Sequence, residues 1–241
     1  MKISVIVPAF NEEKLLGASL SAIQNAATAF RQRGWDFELV VCDNNSTDRT
    51  AEIARAAGAV VVFEPFNQIG RARNSGAAAA TGDWLLFIDA DSQPSPGLFG
   101  DVADAIASGR CLAGGSTVRL DESMLAAGFI TGLWNCLSRF QHLLAGSFIF
   151  VPADVFRQAG GFSDKYFAAE ELELSQRLKA RARAEQKKIV ILHRHPLRTS
   201  ARKMKLYTGR ELLTFMFRTI FNHRRTLTSR EAAYLWYDGR R

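Results

Sequence analysis

Two aspartates, Asp89 and Asp91, end an apolar run of five residues, Trp84 to Ile88. Such a run is typical of a buried strand, and paired carboxylates are costly to bury without a positive group between them. Residues i and i+2 of an extended segment point the same way, so the two carboxylates could share one divalent cation. Gln93 offers a third oxygen, and hard oxygen ligands suit Mg²⁺ or Mn²⁺. A strand end capped by turn-forming residues explains the same pattern without a metal.

Two more predicted strands end in polar, acidic loops of the same kind. The three loops are residues 8–13, 43–48 and 89–91. Predicted strands and helices alternate through the first half of the chain, which indicates an α/β fold with a mostly parallel central sheet and helices on both faces. Such a sheet binds its ligand at the carboxyl ends of its strands. Three polar loops at that edge therefore predict a binding site.

The elements that position these loops follow from hydrophobic periodicity and from glycines that stop helices. Strands are predicted at residues 3–7, 37–42, 59–63, 84–88, 112–118, 148–151 and 189–192. Helices are predicted at residues 12–33, 48–57, 69–81, 98–108, 123–144, 153–159, 170–182 and 203–221. The last of these helices is amphipathic and basic.

Composition excludes several classes of protein. The 241 residues are 47% hydrophobic, enough for one large domain or for a domain with a small extension. Three widely spaced cysteines suit reduced core residues better than a disulfide frame or a zinc site. The chain shows no signal-peptide pattern and no run of about 18 uncharged residues that would predict a membrane span. Neither GxGxxG nor GxxxxGK[ST] occurs, which disfavours a dehydrogenase and a P-loop NTPase.

Charge is distributed unevenly along the chain. Residues 1–176 carry 13 Lys and Arg against 20 Asp and Glu, whereas residues 177–241 carry 18 against 4. A basic segment on an acidic body predicts an anionic partner such as phosphate or a membrane surface. A solvated basic helix face is the alternative. Nucleic acid is not expected, because no nucleic-acid-binding motif occurs.

Four segments together resemble the family 2 glycosyltransferases of the GT-A fold. They are Ile6–Glu12, Val41–Asp48, Gly70–Gly76 and Asp89–Asp91. The resemblance covers about residues 2–100 well and continues more loosely through residues 160–174. It implies a Rossmann-like nucleotide-diphospho-sugar transferase fold. The implied activity is metal-dependent transfer of a sugar, with inversion, from a UDP- or GDP-linked donor to a hydroxyl acceptor.

The resemblance also implies which residues contact the donor. The implied residues are Pro8, Ala9, Phe10, Glu12, Asp43, Arg73, Asn74, Asp89, Ala90, Asp91 and Arg202. The first loop would close around the base and ribose, Asp43 would contact the base, and Arg202 or Lys203 would neutralise the diphosphate. Structural alternatives remain: an acid in the first turn of a helix for Glu12, an Asx-turn cap for Asp43 and a salt bridge for Arg73. A solvated helix face is the alternative for Arg202.

The family pattern is changed in the second loop, where Asn44 and Asn45 replace the usual Asp and Gly. Asn tolerates the left-handed backbone conformation that Gly would supply, so the turn can survive.

Metal ligands and a general base are implied at further positions. The implied metal ligands are Asp89, Asp91, Gln93 and His193, with His195 as the alternative histidine and a structural role open for both. A general base would come from the acidic pair Glu170 and Glu171, which opens a helix after a Gly-Gly-Phe turn. The family usually has Asp where this chain has Glu171, so both glutamates stay candidates. Ordinary enrichment of acids at a helix N-terminus is the alternative.

These expectations define a domain plan. Residues 1–200 should form the catalytic domain, with a nucleotide-binding half at about 1–110 and an acceptor half at about 111–200. Residues 201–241 should form a basic amphipathic helical extension. Its apolar face either packs on the domain or binds an anionic membrane surface. The chain would then be cytoplasmic, or peripheral at the inner face of the membrane with a lipid-linked acceptor.

Two rival functions remain open. A sugar nucleotidyltransferase would need a Gly-rich Arg/Lys signature after the first strand, which is missing here. A non-catalytic sugar-nucleotide-binding or membrane-recruited protein would not need the acidic residues Asp89, Asp91 and Glu171.

Overall fold

One mixed sheet forms the centre of the molecule. The computed structural model of the chain describes residues 1–121, 131–132, 135–136, 138–144 and 146–202. Within this part, eight strands are ordered β3-β2-β1-β4-β7-β6-β8-β5. The strands are β1 (Lys2–Ala9), β2 (Asp36–Asp43), β3 (Val60–Phe63), β4 (Trp84–Ile88), β5 (Ser92–Gln93), β6 (Cys111–Leu120), β7 (Phe148–Pro152) and β8 (Lys188–Thr199). Strands β7 and β5 run antiparallel to their neighbours, and all other pairings are parallel.

Helices cover both faces of the sheet, as the strand–helix alternation predicted. They are α1 (Leu16–Ala26), α2 (Thr28–Arg31), α3 (Thr50–Ala56), α4 (Ile69–Ala79), α5 (Pro96–Ala107), α6 (Ala153–Gln158) and α7 (Glu170–Ala184). One apolar cluster joins α1, α2, α3 and α5 to the sheet, and a second joins α4, α6 and α7 to its other face. The predicted α/β fold class is confirmed.

The small residues of α4 allow the helix to pack closely on the central strands. A Cβ atom at Gly76 would lie 2.6 Å from Ile6 Cγ2, which is too close for any larger residue without movement of the strand. Ala72 and Arg73 of the same helix are also buried. This close packing brings Arg73 to the carboxyl end of β4.

Three local differences from the sequence prediction affect the site. Residues 89–91 were expected to be extended, but the Ser92 amide donates to the Asp89 carbonyl at 3.1 Å and the segment is a turn. Strand β5 follows that turn, and it was not predicted because two residues carry no periodic pattern. Strand β8 continues to Thr199, well beyond the predicted residues 189–192, because it pairs with both β6 and β5.

Two further expectations concern segments with little or no described structure. Of the predicted helix at 123–144, residues 131–132, 135–136 and 138–141 are helical. The predicted helix at 203–221 lies outside the described residues. In the described part of the chain, no helix is both long and apolar enough to cross a membrane.

Candidate active site

The loops that follow β1 and β2 are joined into one unit. Asn11 Oδ1 accepts a hydrogen bond from the Thr47 amide at 2.8 Å, and Ser46 Oγ accepts one from the Asn11 amide at 3.0 Å. Asn11 and Asn45 both have positive φ, 52° and 64°, a conformation that Asn tolerates better than most residues. The second loop therefore keeps its tight turn with Asn45 in place of the family's Gly.

The first-loop residues line the carboxyl edge of β1. Pro8 and Ala9 are buried, and Phe10 is half-buried. Ala9 lies opposite Asp43 in the β1–β2 register, and its carbonyl accepts the Asn44 amide at 2.8 Å. The structure thus places these candidate donor-binding residues beside Asp43.

Asp43 forms the Asx turn that was expected as the alternative to a contact with the base of the donor. Its Oδ1 accepts the Ser46 amide at 3.1 Å, and the residue is buried. Among the described residues, no donor contacts its other oxygen. A carboxylate oxygen therefore remains for a ligand at the end of β2, and the two interpretations of Asp43 are compatible.

Asn44 holds the chain that leads into α4, a role that sequence reasoning missed. Its Nδ2 donates to the Glu64 carbonyl at 3.2 Å and to the Phe66 carbonyl at 2.6 Å. Its Oδ1 accepts the Gln68 amide at 3.0 Å. A carboxylate could accept the Gln68 amide but could not donate to the two carbonyls. The change from the family's Asp to Asn is therefore the feature of the sequence from which this role could have been predicted.

Asn44→Ala is expected to lower the free energy of unfolding by roughly 1–3 kcal/mol, because it leaves the buried Gln68 amide without its partner. Chemical denaturation measures the loss. The control is Asn25→Ala on the exposed side of α1, which should change stability by less than about 0.5 kcal/mol. Equal stability of the two variants would contradict the role assigned to Asn44.

The Asn74 side chain also hydrogen-bonds to the backbone of a distant segment. Its Nδ2 donates to the Phe162 carbonyl at 2.8 Å, and its Oδ1 accepts the Phe162 amide at 2.9 Å. A Cβ atom at Gly161, where φ is +67°, would lie 2.7 Å from Asn74 Oδ1. Asn74 therefore fixes the Gly-Gly-Phe turn against α4 through one donated and one accepted hydrogen bond.

Arg73 is the centre of a buried ionic cluster. Its side chain is 2% exposed, and it donates to Glu170 Oε1 at 2.5 Å, Asp89 Oδ1 at 2.9 Å and the Gly146 carbonyl at 2.8 Å. The guanidinium also lies 5.2 Å from the centre of the Phe162 ring. Arg73 thus links the turn after β4 to the start of α7, and the structural salt bridge that was its alternative role is observed.

The cluster perturbs the ionisation of its members. Burial alone would lower the pKa of Arg73, but the charges of Asp89, Glu170 and Glu171 outweigh it and raise that pKa. Burial raises the pKa of Glu170 against the opposing effect of Arg73. Burial, and then the charge of Glu170, raises the pKa of Glu171 from 4.5 to about 8. Three carboxylates face one guanidinium, so holding a proton on Glu171 relieves the excess negative charge.

The two glutamates occupy different positions. Glu170 is 2% exposed and bound to Arg73, whereas Glu171 remains partly accessible. Both line a cavity of about 110 Å³ together with Arg73, Asp89 and Gly146. The Glu171 carboxylate accepts a hydrogen bond from its own backbone amide, and no side chain among the described residues donates to it. An accessible carboxylate with a pKa near neutrality has the properties of a general base.

The different positions of Glu170 and Glu171 follow from the local backbone geometry. Ala169, immediately before the pair, has left-handed φ and ψ of 61° and 22°, an uncommon conformation for Ala. This kink starts α7 at Glu170. Gly146 leaves room opposite, since a Cβ atom there would lie 3.1 Å from Arg73 Nη2 and 3.3 Å from Glu171 Cδ.

Asp89 and Asp91 have different hydrogen-bond partners within the protein. Asp89 binds Arg73, whereas Asp91 Oδ1 accepts the Thr199 hydroxyl at 3.4 Å. The expected parallel orientation of the two side chains is wrong, because the segment is a turn. Ala90 is buried between them, and Gln93 is exposed on β5.

The histidines lie apart from Asp91. His193 is in the bulge where β8 leaves its register with β6, and it lines a groove with Cys136 and Phe140. His195 Nδ1 lies 3.0 Å from Asp101 Oδ2 on α5. In the described part of the chain, no three His, Cys, Asp or Glu side chains gather as a metal cluster. The structure therefore does not bring His193 to the aspartates.

Arg202 lies over the first loop, where it contacts Glu12. Its Nη2 is 2.7 Å from each Glu12 carboxylate oxygen. The preceding residues are anchored, because the Ser200 amide donates to the Asp91 carbonyl at 3.2 Å and the Ala201 amide to Asp121 Oδ1 at 2.9 Å. The end of β8 thus brings Arg202 to the same edge of the sheet as Asp91.

Comparisons with known proteins agree with this geometry. The profile described as Glycosyl transferase family 2 matches residues 4–127. A dolichol-phosphate mannosyltransferase of Pyrococcus furiosus is 34% identical over 124 residues, which are 48% of this chain and 33% of that relative. The chain spans 39% or less of the length of the curated relatives that it matches first.

Solved structures share the fold at low sequence identity. S. aureus TarS 1-349 in complex with UDP-GlcNAc has a TM-score of 0.65 at 20% identity, covering 98% of this chain and 69% of that chain. A mannosyltransferase from Pyrobaculum calidifontis in complex with GDP-Man and Mn²⁺ has a TM-score of 0.66 at 18% identity, covering 93% and 60%. This likeness confirms the predicted GT-A fold. Since the family profile matches just over half of its residues, the chain belongs to glycosyl transferase family 2.

Proposed function

We propose that the chain transfers a sugar from a nucleotide-diphospho-sugar to a hydroxyl acceptor, with inversion. The observation that carries the proposal is the buried Arg73, which joins Asp89 of the candidate donor site to the Glu170–Glu171 pair. These two ion pairs of Arg73 thereby fix the position of Asp89, beside the proposed diphosphate site, relative to the start of α7, where the proposed base lies. Such fixed relative positions favour an in-line displacement.

Glu171 acts as the general base in this proposal. Its raised pKa makes it a stronger proton acceptor than an ordinary carboxylate, and it is the accessible member of the pair. It takes the proton of the acceptor hydroxyl as that oxygen attacks the sugar C1 atom. The bond from C1 to the diphosphate oxygen breaks, and the nucleoside diphosphate leaves. Glu170 is a positioning residue, since its carboxylate is bound to Arg73.

A divalent cation fits the residues at the end of β4. Mg²⁺ usually binds through one or two carboxylates together with substrate phosphates, so a site need not contain a full set of protein ligands. Asp91 and Gln93, with the second oxygen of Asp89, supply oxygen ligands of this kind, and we do not include His193 among them. When bound, the cation would stabilise the charge that develops on the departing diphosphate.

The donor side of the site combines Asp43, the first loop and Arg202. Asp43 has a carboxylate oxygen available for the base, and the first loop lies beside it. Arg202 contacts Glu12 in this structure, and exchanging that contact for the donor diphosphate would place a positive charge on the leaving group. The solved neighbours bound to UDP-GlcNAc and to GDP-Man with Mn²⁺ support a UDP- or GDP-linked donor.

Asp91→Ala should abolish Mn²⁺-dependent donor binding while leaving the fold intact, because Asp91 would be a principal cation ligand. A thermal-shift screen of UDP, GDP and their sugars, with and without Mn²⁺, tests this, since ligand binding to the native state raises the melting temperature. Asp101→Ala, at a carboxylate that contacts His195, is the control and should keep the shift. An unchanged Mn²⁺-dependent shift in Asp91→Ala would refute the metal assignment.

A lipid-linked acceptor at a membrane surface is a further part of the proposal. It is supported by the similarity to the dolichol-phosphate mannosyltransferase of Pyrococcus furiosus and by the basic, amphipathic sequence of residues 203–227. The full chain is expected to float with anionic liposomes at low salt and to be released at high salt. Absence of co-flotation at low salt would remove the membrane and the lipid-linked acceptor from the proposal.

A further inference from the structure

A second groove lies outside the Arg73 cluster. It has a volume of about 1220 Å³ and is lined by α1, β5, the start of α5, the end of β6, β8 and residues 131–132 and 135. It shares no residue with the cavity that contains Glu171, and it meets the proposed metal site only at Gln93. Nothing in the proposed transfer reaction uses the rest of this groove.

Arginines form a row along the groove. Arg119 on β6 lies directly opposite Arg198 on β8, and Arg198 lies opposite Gln93 on β5. Side chains at paired positions stand on the same face of a sheet with Cβ atoms about 5 Å apart, and like charges placed in this way destabilise the pairing. Arg194, in the bulge of β8, lines the same groove. The fold thus keeps three cations close together.

These cations lack counter-charges. Within the described part of the chain, none of the three guanidinium groups makes a hydrogen bond or an ion pair, and all three residues are exposed. Asp121 also lines the groove, but its Oδ1 accepts the Ala201 amide at 2.9 Å. Asp101 is held by His195 at 3.0 Å. Asp101 and Asp121 thus both have other partners among the described residues.

We propose that this groove binds a phosphoryl anion, either a phosphate or a diphosphate group, through Arg119, Arg194 and Arg198. The planar guanidinium matches the geometry of phosphate oxygens and binds them with two parallel hydrogen bonds. A bound dianion would remove the repulsion between the facing arginines. The amino end of α5, which begins with Pro96 and is capped by Ser95, adds a positive end to the same groove.

Calorimetric titration with inorganic pyrophosphate, in low salt with a metal chelator, tests the proposal on the full chain. The chelator suppresses any metal-dependent binding in the donor site. The test variant is Arg119→Gln/Arg198→Gln, and the control is Arg55→Gln/Arg157→Gln, which removes the same charge at exposed helix positions. We expect the dissociation constant to rise at least tenfold in the test variant and to stay within twofold in the control. Without ligand, the melting temperature of the test variant should not fall, because the substitution removes the repulsion between the facing arginines, and that of the control should be unchanged.

Vesicles separate a free phosphate from a lipid headgroup. If the control floats with phosphatidylglycerol vesicles and the test variant does not, the groove is a site for a lipid headgroup. This holds even if free pyrophosphate binds weakly. Loss of pyrophosphate binding alone would support a site for a soluble phosphate. The proposal is overturned if the test variant and the wild type behave alike with both probes.

Discussion

Glu171→Gln is expected to lower turnover by roughly 10²-fold or more while donor binding stays normal, because the amide cannot accept the acceptor proton. The substitution keeps the size of the side chain and removes only its basicity. Turnover is measured as nucleoside diphosphate release, and donor binding as the Mn²⁺-dependent thermal shift. The matched control is Glu173→Gln on the same helix, where Glu173 pairs with Arg177, and it should keep nearly full turnover.

The pH dependence gives this prediction a second readout. A base with a pKa of about 8 is mostly protonated at neutral pH, so wild-type turnover should rise as pH increases towards about 8. The folded-state pKa lies above the ordinary 4.5, so stability should fall as pH rises from about 4.5 to about 8. Glu171→Gln should remove the dependence of turnover and weaken that of stability, because the pKa of Glu170 is raised as well. If Glu170→Gln loses turnover and Glu171→Gln is nearly silent, the base is Glu170.

Arg73→Met is expected to lower the free energy of unfolding by about 3–5 kcal/mol, the range for removing one partner of a buried ion pair. The substitution leaves Glu170 buried without its cation, and it also frees Asp89. The loss should be smaller at low pH, where Glu170 is protonated. Denaturant unfolding at pH 5 and pH 8 measures both effects.

Two variants isolate the cause of this loss. Arg71→Met on the same helix removes an exposed arginine 3.6 Å from Asp164, and it should cost no more than about 1 kcal/mol. The double variant Arg73→Met/Glu170→Met should recover much of the lost stability, because the fully buried carboxylate is removed together with its cation. A loss below about 1 kcal/mol in Arg73→Met alone would contradict the structural role given to the cluster.

Periodicity was sufficient to predict the layered fold. Strand β4 was predicted at its observed bounds, because Trp84–Ile88 is an uninterrupted apolar run next to Gly82. The helix that starts at Glu170 was also predicted, since acids open it and arginines close it. These elements depend on local patterns, which a single sequence displays directly.

Side-chain partners depend on tertiary packing, and sequence alone could not supply them. Arg73 was assigned to a donor phosphate or to an unspecified salt bridge, but its contacts with Asp89 and Glu170 span 16 and 97 residues of sequence. The turn at residues 89–91 separated two aspartates that an extended segment would have aligned. Asn44 and Asn74 were singled out as loop and donor residues, yet both bind backbone from distant segments.

The stereochemistry of donor cleavage tests the central claim most directly. With Mn²⁺ and a UDP- or GDP-sugar of α configuration, the anomer released to water or transferred to an acceptor is followed by proton NMR before mutarotation. We expect the β anomer to form first, a chelator to stop the reaction, and Glu171→Gln to slow it. Initial release of the α anomer, or cleavage at an unchanged rate in the chelator, would contradict metal-dependent inversion with Glu171 as the base.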